Sequence, residues 1–206
     1  MPSSNSPTRR GVLTATALGG GALAAAPALA EPGESLRPLP PKETAARAAA
    51  AASALLDRFM AATDPDMLME RVPRQDGDPE FAYVWPLSQA RAAVTELLPS
   101  RTQDTALADA AQALLRAQEQ YWYPQGGTTG LPGYTAATDS VQGAHGDFFY
   151  VDNDWIALLE IEQHLFTEGR EGDLDRAGEL LELFRSGEST DASLPSPGGI
   201  FWTQGD

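Results

Sequence analysis

The chain has no cysteine and only two histidines, His145 and His164. The first absence excludes disulfides, a thiol nucleophile and thiolate metal sites. The second leaves little imidazole for catalysis, so carboxylates are the main source of chemistry. Bases are scarce beside acids: 14 Lys and Arg against 29 Asp and Glu give a net charge of −15. Such a surface repels phosphate backbones and anionic membranes, which argues against a nucleic-acid partner. It is compatible with a neutral polysaccharide. Period-two alternation of any useful length is also missing, which points to an all-α class. With 206 residues there is length for one domain with a real core, but little for two.

What is present begins with an address. Thr8-Arg9-Arg10-Gly-Val-Leu13 is a twin-arginine pattern, followed by an apolar Ala/Gly-rich run that closes on Ala28-Leu29-Ala30. The run is long enough to span a membrane but only weakly hydrophobic, and a small-residue cleavage site ends it. Residues 1–30 read as a cleaved Tat-type signal peptide, so the mature protein is expected to be secreted, with no stable membrane insertion. Losing Arg9 and Arg10 makes the mature chain more acidic still. Residues 31–42 read as a proline-rich linker that cannot pack as a helix.

Residues 43–206 hold five expected helices. The first, Glu43 to Ala62, has an Ala run of high propensity and an edge of Leu55, Leu56, Phe59 and Met60. A polar loop over 63–85 leads to a second, from Pro86 to about Leu98, with Val94, Leu97 and Leu98 inward. The third spans about Gln103 to Tyr121 with Thr102 as cap, burying Leu107, Ala111, Leu114, Leu115, Gln118, Tyr121 and Trp122. A glycine-rich loop over 123–146 precedes the fourth. The fifth runs from about Asp173 to Arg185, with Leu174, Ala177, Leu181 and Phe184 on one face and Gly187 as C-cap. The last stretch, from Pro195 on, is loop-like.

The fourth helix follows the densest chemistry, Gly146-Asp-Phe-Phe-Tyr-Val-Asp-Asn-Asp-Trp155. Trp155, Leu158, Leu159, Leu165 and Phe166 recur at helical spacing, so that face is expected to be buried over Ile156 to Phe166. Asp152, Asn153 and Asp154 then lie in the first turn or just before it. One reading makes them caps for orphan N–H groups. The other sets a carboxylate among Phe148, Phe149, Tyr150 and Trp155 to work on a sugar. A third reading, a metal site from Asp147, Asp152 and Asp154, has the alternating oxygens of a calcium loop. Ile156 stands where the next ligand belongs, and no loop glycine follows. No metal and no cofactor are expected.

Three motifs in order carry a resemblance: Trp85-Pro-Leu-Ser-Gln-Ala90, Tyr150-Val-Asp-Asn-Asp-Trp-Ile-Ala-Leu158 and Pro197-Gly-Gly-Ile-Phe-Trp202. Together, from about Glu43 to the last residue, the chain resembles glycoside hydrolase family 76, the endo-acting α-1,6-mannanases. The resemblance implies part of an (α/α)6 barrel, about five helices of a twelve-helix toroid. It implies retaining hydrolysis of an α-mannan-like polysaccharide by paired aspartates. It places the acid/base on Asp152 and the sugar contacts on Tyr150, Asn153, Trp155 and Trp202. Two departures stand out. The family's first aspartate falls on Val151, and valine can neither attack C1 nor protonate an oxygen. Asp154, two positions beyond Asp152, lies roughly 200° around a helix and replaces it poorly; Asp147 lies upstream in the loop. The second departure is length, which suggests a fragment or a divergent member. A non-catalytic carbohydrate-binding relative is the alternative.

The export reading is open to direct test. N-terminal sequencing of secreted protein is expected to begin at Glu31, and an intact Met1 on a membrane-bound product would overturn it.

Overall fold

The computed structural model describes residues 40–100, 103–138, 148–195 and 197–204. Five helices carry the fold: α1 Pro41–Phe59, α2 Val84–Leu97, α3 Thr105–Glu119, α4 Tyr150–Phe166 and α5 Leu174–Ser186. A short 3-10 turn, Leu98–Ser100, extends α2. Two-residue strands β1 Trp122–Tyr123 and β2 Gly133–Tyr134 pair antiparallel, with Trp122 opposite Tyr134. The all-α expectation holds apart from this ribbon. None of the described helices is long and apolar enough to cross a membrane.

The boundaries follow local chemistry, sometimes differently from the sequence pattern. α1 starts at Pro41, two residues before the expected Glu43, because proline is well suited to a first turn. α2 starts at Val84, so Pro86 is its third residue, where a missing N–H still costs no helical bond. Asp104 caps α3, its carboxylate accepting the Leu107 N–H at 3.1 Å; the expected cap, Thr102, lies outside the described residues. That helix ends at Glu119, and the chain turns into β1 instead of continuing through Tyr121. Asp173 caps α5 by accepting the Arg176 N–H at 2.9 Å, and Gly187 follows the last helical residue as expected.

The core is filled by Val84, Leu87 and Val94 from α2, Leu107 and Leu114 from α3, Ile156 from α4, and Leu180 and Leu183 from α5. Met67 and Leu68 join them from the segment expected to be a polar loop. The expected buried face of α4 is corrected. Of its five residues only Leu159 is buried, while Trp155, Leu158, Leu165 and Phe166 are exposed, Leu165 by 70%. Asn153, Ile156, Ala157, Glu160 and Gln163 turn inward instead. α5 is shifted likewise: Leu180 and Leu183 are buried, and Leu174 and Leu181 are exposed. Both helices carry more apolar surface than the described fold covers, so periodicity alone chooses the wrong stripe.

Polar groups hold the buried side of α4. Glu160 accepts from Arg91 of α2 at 2.6 Å with one oxygen and from the Asp173 N–H at 2.9 Å with the other. Arg91 also donates to Gln163 at 3.1 Å, and Gln163 donates to Thr95 at 3.3 Å. Arg91 and Glu160 are both buried. Removing one partner of such a pair strands the other charge in a dry interior. Arg91→Ala is therefore expected to destabilise the fold by about 3–5 kcal/mol. Urea unfolding followed by circular dichroism checks it; a loss below about 1 kcal/mol would mean that Glu160 remains hydrated.

Candidate functional site

Three segments far apart in sequence meet at the start of α4. The Tyr150 N–H, one of the orphan donors of a helix start, donates to the Trp202 carbonyl at 3.1 Å. The Gln204 N–H reaches the Phe148 carbonyl at 3.2 Å, and Phe149 forms an antiparallel bridge with Thr203. The Phe149 and Trp202 rings meet nearly edge to face, centroids 5.1 Å apart. The late glycine motif thus caps the helix that carries the acidic motif. The sequence pattern reads only as a loop there, because a backbone cap leaves no side-chain signature.

Asn153 brings in the third segment. Its side-chain oxygen accepts the Tyr134 N–H at 2.7 Å, and its NH2 donates to the carbonyls of Tyr134 and Phe149, each at 3.0 Å. The amide thereby acts as a strand neighbour for β2. The Val84 N–H donates to the Ala136 carbonyl at 2.9 Å, so residues 133–136 also reach the start of α2. Asn153 was expected to touch sugar, and the structure corrects this: it is fully buried and its amide is committed to backbone. Tyr150 is corrected in the same way. It is buried, with its ring against Gly187, where a Cβ would come within 2.7 Å of the ring carbons.

The other three predicted residues remain available. Asp152 is the third residue of α4 and partly exposed, and it accepts no hydrogen bond among the described residues. The capping reading fails on that point. Burial pushes its carboxyl from 3.8 up to about 6, and burial also raises that of Asp154. Trp155 is 48% exposed and Trp202 67%. Val151, beside Asp152, is 42% exposed. Asp147 and His145 lie outside the described residues. Two clefts, of about 690 and 910 Å³, lie away from the start of α4, one lined by Arg91, Glu160 and Asp173, the other by Thr95, Glu162 and Phe166.

The raised carboxyl has a thermal consequence. Its folded value of about 6 stands above the unfolded 3.8, so the fold favours the protonated form. That contribution is complete below pH 3.8 and lost as pH rises through about 6. Asp152→Asn, neutral throughout, is expected to melt higher than the parent well above pH 6 and equally below pH 3.8. Melting curves at both ends check it; equal melting at the alkaline end would show a fully hydrated carboxylate.

No protein-family model matches the sequence, and no curated protein matches it. Solved structures do match in fold. A glycoside hydrolase family 76 mannosidase from Bacteroides thetaiotaomicron VPI-5482 has TM-score 0.60 at 15% identity, over 79% of this chain and 42% of its own. A family 76 α-mannanase from Bacteroides thetaiotaomicron has TM-score 0.52 at 18% identity, over 78% of this chain and 40% of its own. The chain therefore spans about two fifths of the length of the structures it matches. It is similar to them in the N-terminal part only, and its helices are those of a partial all-α toroid of the kind found in glycoside hydrolase family 76.

Proposed function

We propose that the chain is a secreted, glycoside hydrolase-like protein that engages an α-mannan-like polysaccharide, with Asp152 in the acid/base position. Asp152 itself is the observation that carries this reading. It is a half-buried carboxyl with no hydrogen-bond partner among the described residues, and its pKa is raised to about 6. Such a group gives up a proton to a leaving oxygen near neutral pH and takes one back from water. The exposed rings of Trp155 and Trp202 offer flat apolar surface to the C–H faces of a pyranose. The names of the two fold relatives, a mannosidase and an α-mannanase, supply the substrate class. A neutral polymer suits a chain of net charge −15.

Retaining hydrolysis uses two carboxyl groups about 5 Å apart, one attacking C1 while the other protonates the departing oxygen. Val151 occupies the position where the resemblance calls for the first. Asp154 is roughly 200° around α4 from Asp152 and faces elsewhere. Val151 thus favours a second reading, a non-catalytic relative that holds carbohydrate without cleaving it.

Hydrolysis of α-1,6-mannan decides between the two. The parent chain is expected to be at least about a thousandfold slower than Val151→Asp, because a missing nucleophile costs orders of magnitude. Adding Asp152→Asn to Val151→Asp is expected to remove the activity again. Robust turnover by the parent would mean that another acid supplies the nucleophile, Asp147 first among them.

A further inference from the structure

We infer that Trp85, at the start of α2, forms a second aromatic wall of the carbohydrate site, so that Asp152 lies between two indoles on adjacent helices. This rests on the carbohydrate reading above and adds to it a residue and a minimum ligand size. The argument comes from register. Arg91 pairs with Glu160 across 69 residues and with Gln163 across 72, and Thr95 pairs with Gln163 across 68. The contacts advance in the same direction along both helices, so α2 and α4 run parallel. Their starts lie at the same end, where residues 133–136 join both. Carried back along α2, that offset of about seventy residues sets Trp85 level with Asp154 and Trp155, within one turn of Asp152.

Rotation gives the direction. Arg91 and Thr95 define the side of α2 that faces α4, and Glu160 and Gln163 define the reverse side. Counting back at about 100° per residue, Trp85, Asp152 and Trp155 all project to the same side of the plane holding the two axes. Each lies within about 50° of its normal. Exposure agrees. Trp85 is 49% exposed although its neighbours Val84 and Leu87 in the same turns are fully buried, and Trp155 is 48% exposed. Helices packed side by side lie about 8–10 Å apart, so the two indoles flank a space one to two sugar rings wide. Trp85 has no ring partner among the described residues, so its indole face is free.

The consequence is a site that holds at least two linked pyranoses, one against each indole, with the bond between them near Asp152. Oligosaccharides are then expected to bind, and the free monosaccharide to bind far more weakly. The test is titration of the full chain with α-1,6-linked mannotriose and with mannose, followed by NMR. Trp85→Gln and Trp155→Gln are each expected to weaken mannotriose binding about tenfold, and Trp85→Phe to retain most of it. Circular dichroism confirms that each variant is folded, and Trp85→Phe covers the case in which Trp85→Gln is not. Loss in Trp155→Gln with full binding in Trp85→Gln would overturn the role of Trp85 and leave the carbohydrate reading standing. Binding unchanged in both variants would overturn the inference together with the placement of the site. No binding of mannotriose by the parent at millimolar concentration would overturn the carbohydrate reading itself.

Discussion

The buried Glu160 carboxylate is the interaction on which the arrangement depends. One oxygen holds Arg91 of α2, and the other holds the backbone at the head of α5. Three helices are thereby tied at one point, and two of them are set in a fixed parallel register. A purely apolar contact between α2 and α4 would tolerate sliding, because leucine surfaces are non-directional. An ion pair with Gln163 and Thr95 alongside specifies one register, since a slip of one turn would leave buried polar groups unpaired. The two helix starts coincide at one end for that reason, and the candidate site is built where they coincide.

Local chemistry makes the five helices legible in the sequence: the Ala run of α1, the stripe of α3, Asp173 and Gly187 at either end of α5. The motifs around Trp85, Asp152 and Trp202 point to the fold relatives through residue type and spacing alone. Burial is less legible. Trp155, Leu158 and Leu165 follow a helical period yet face outward, because α4 has two apolar stripes and only one meets α2 and α5. The hydrogen-bonding roles are hidden too. Nothing local says that the amide of Asn153 belongs to the backbone of Tyr134, or that the Trp202 carbonyl caps α4. Both bonds join residues that only the tertiary fold makes neighbours, and backbone partners leave no mark in the identity of the partner residue.

Val151 belongs to the outward stripe of α4 as well as standing beside Asp152. Its change of chemistry relative to the resemblance is therefore also a change of surface. A valine there extends the apolar face of Trp155 and Leu158 toward the helix start, where an aspartate would interrupt it with charge. One residue thus bears on the carboxylate pair that the resemblance implies and on how the free face of α4 meets water.

The bond from the Tyr150 N–H to the Trp202 carbonyl also orders events in time. α2 and α3 are adjacent in sequence and close on each other with short loops. The entry of α4 is different: its first donor waits for a carbonyl more than fifty residues later in the chain. Until residues 202–204 have left the ribosome, the first turn carrying Asp152 has no lid, and closing so long a loop carries an entropic cost that nearby contacts do not. α2 and α3 can pack as they are synthesised, and the first turn of α4 is completed only once residues 202–204 are in place.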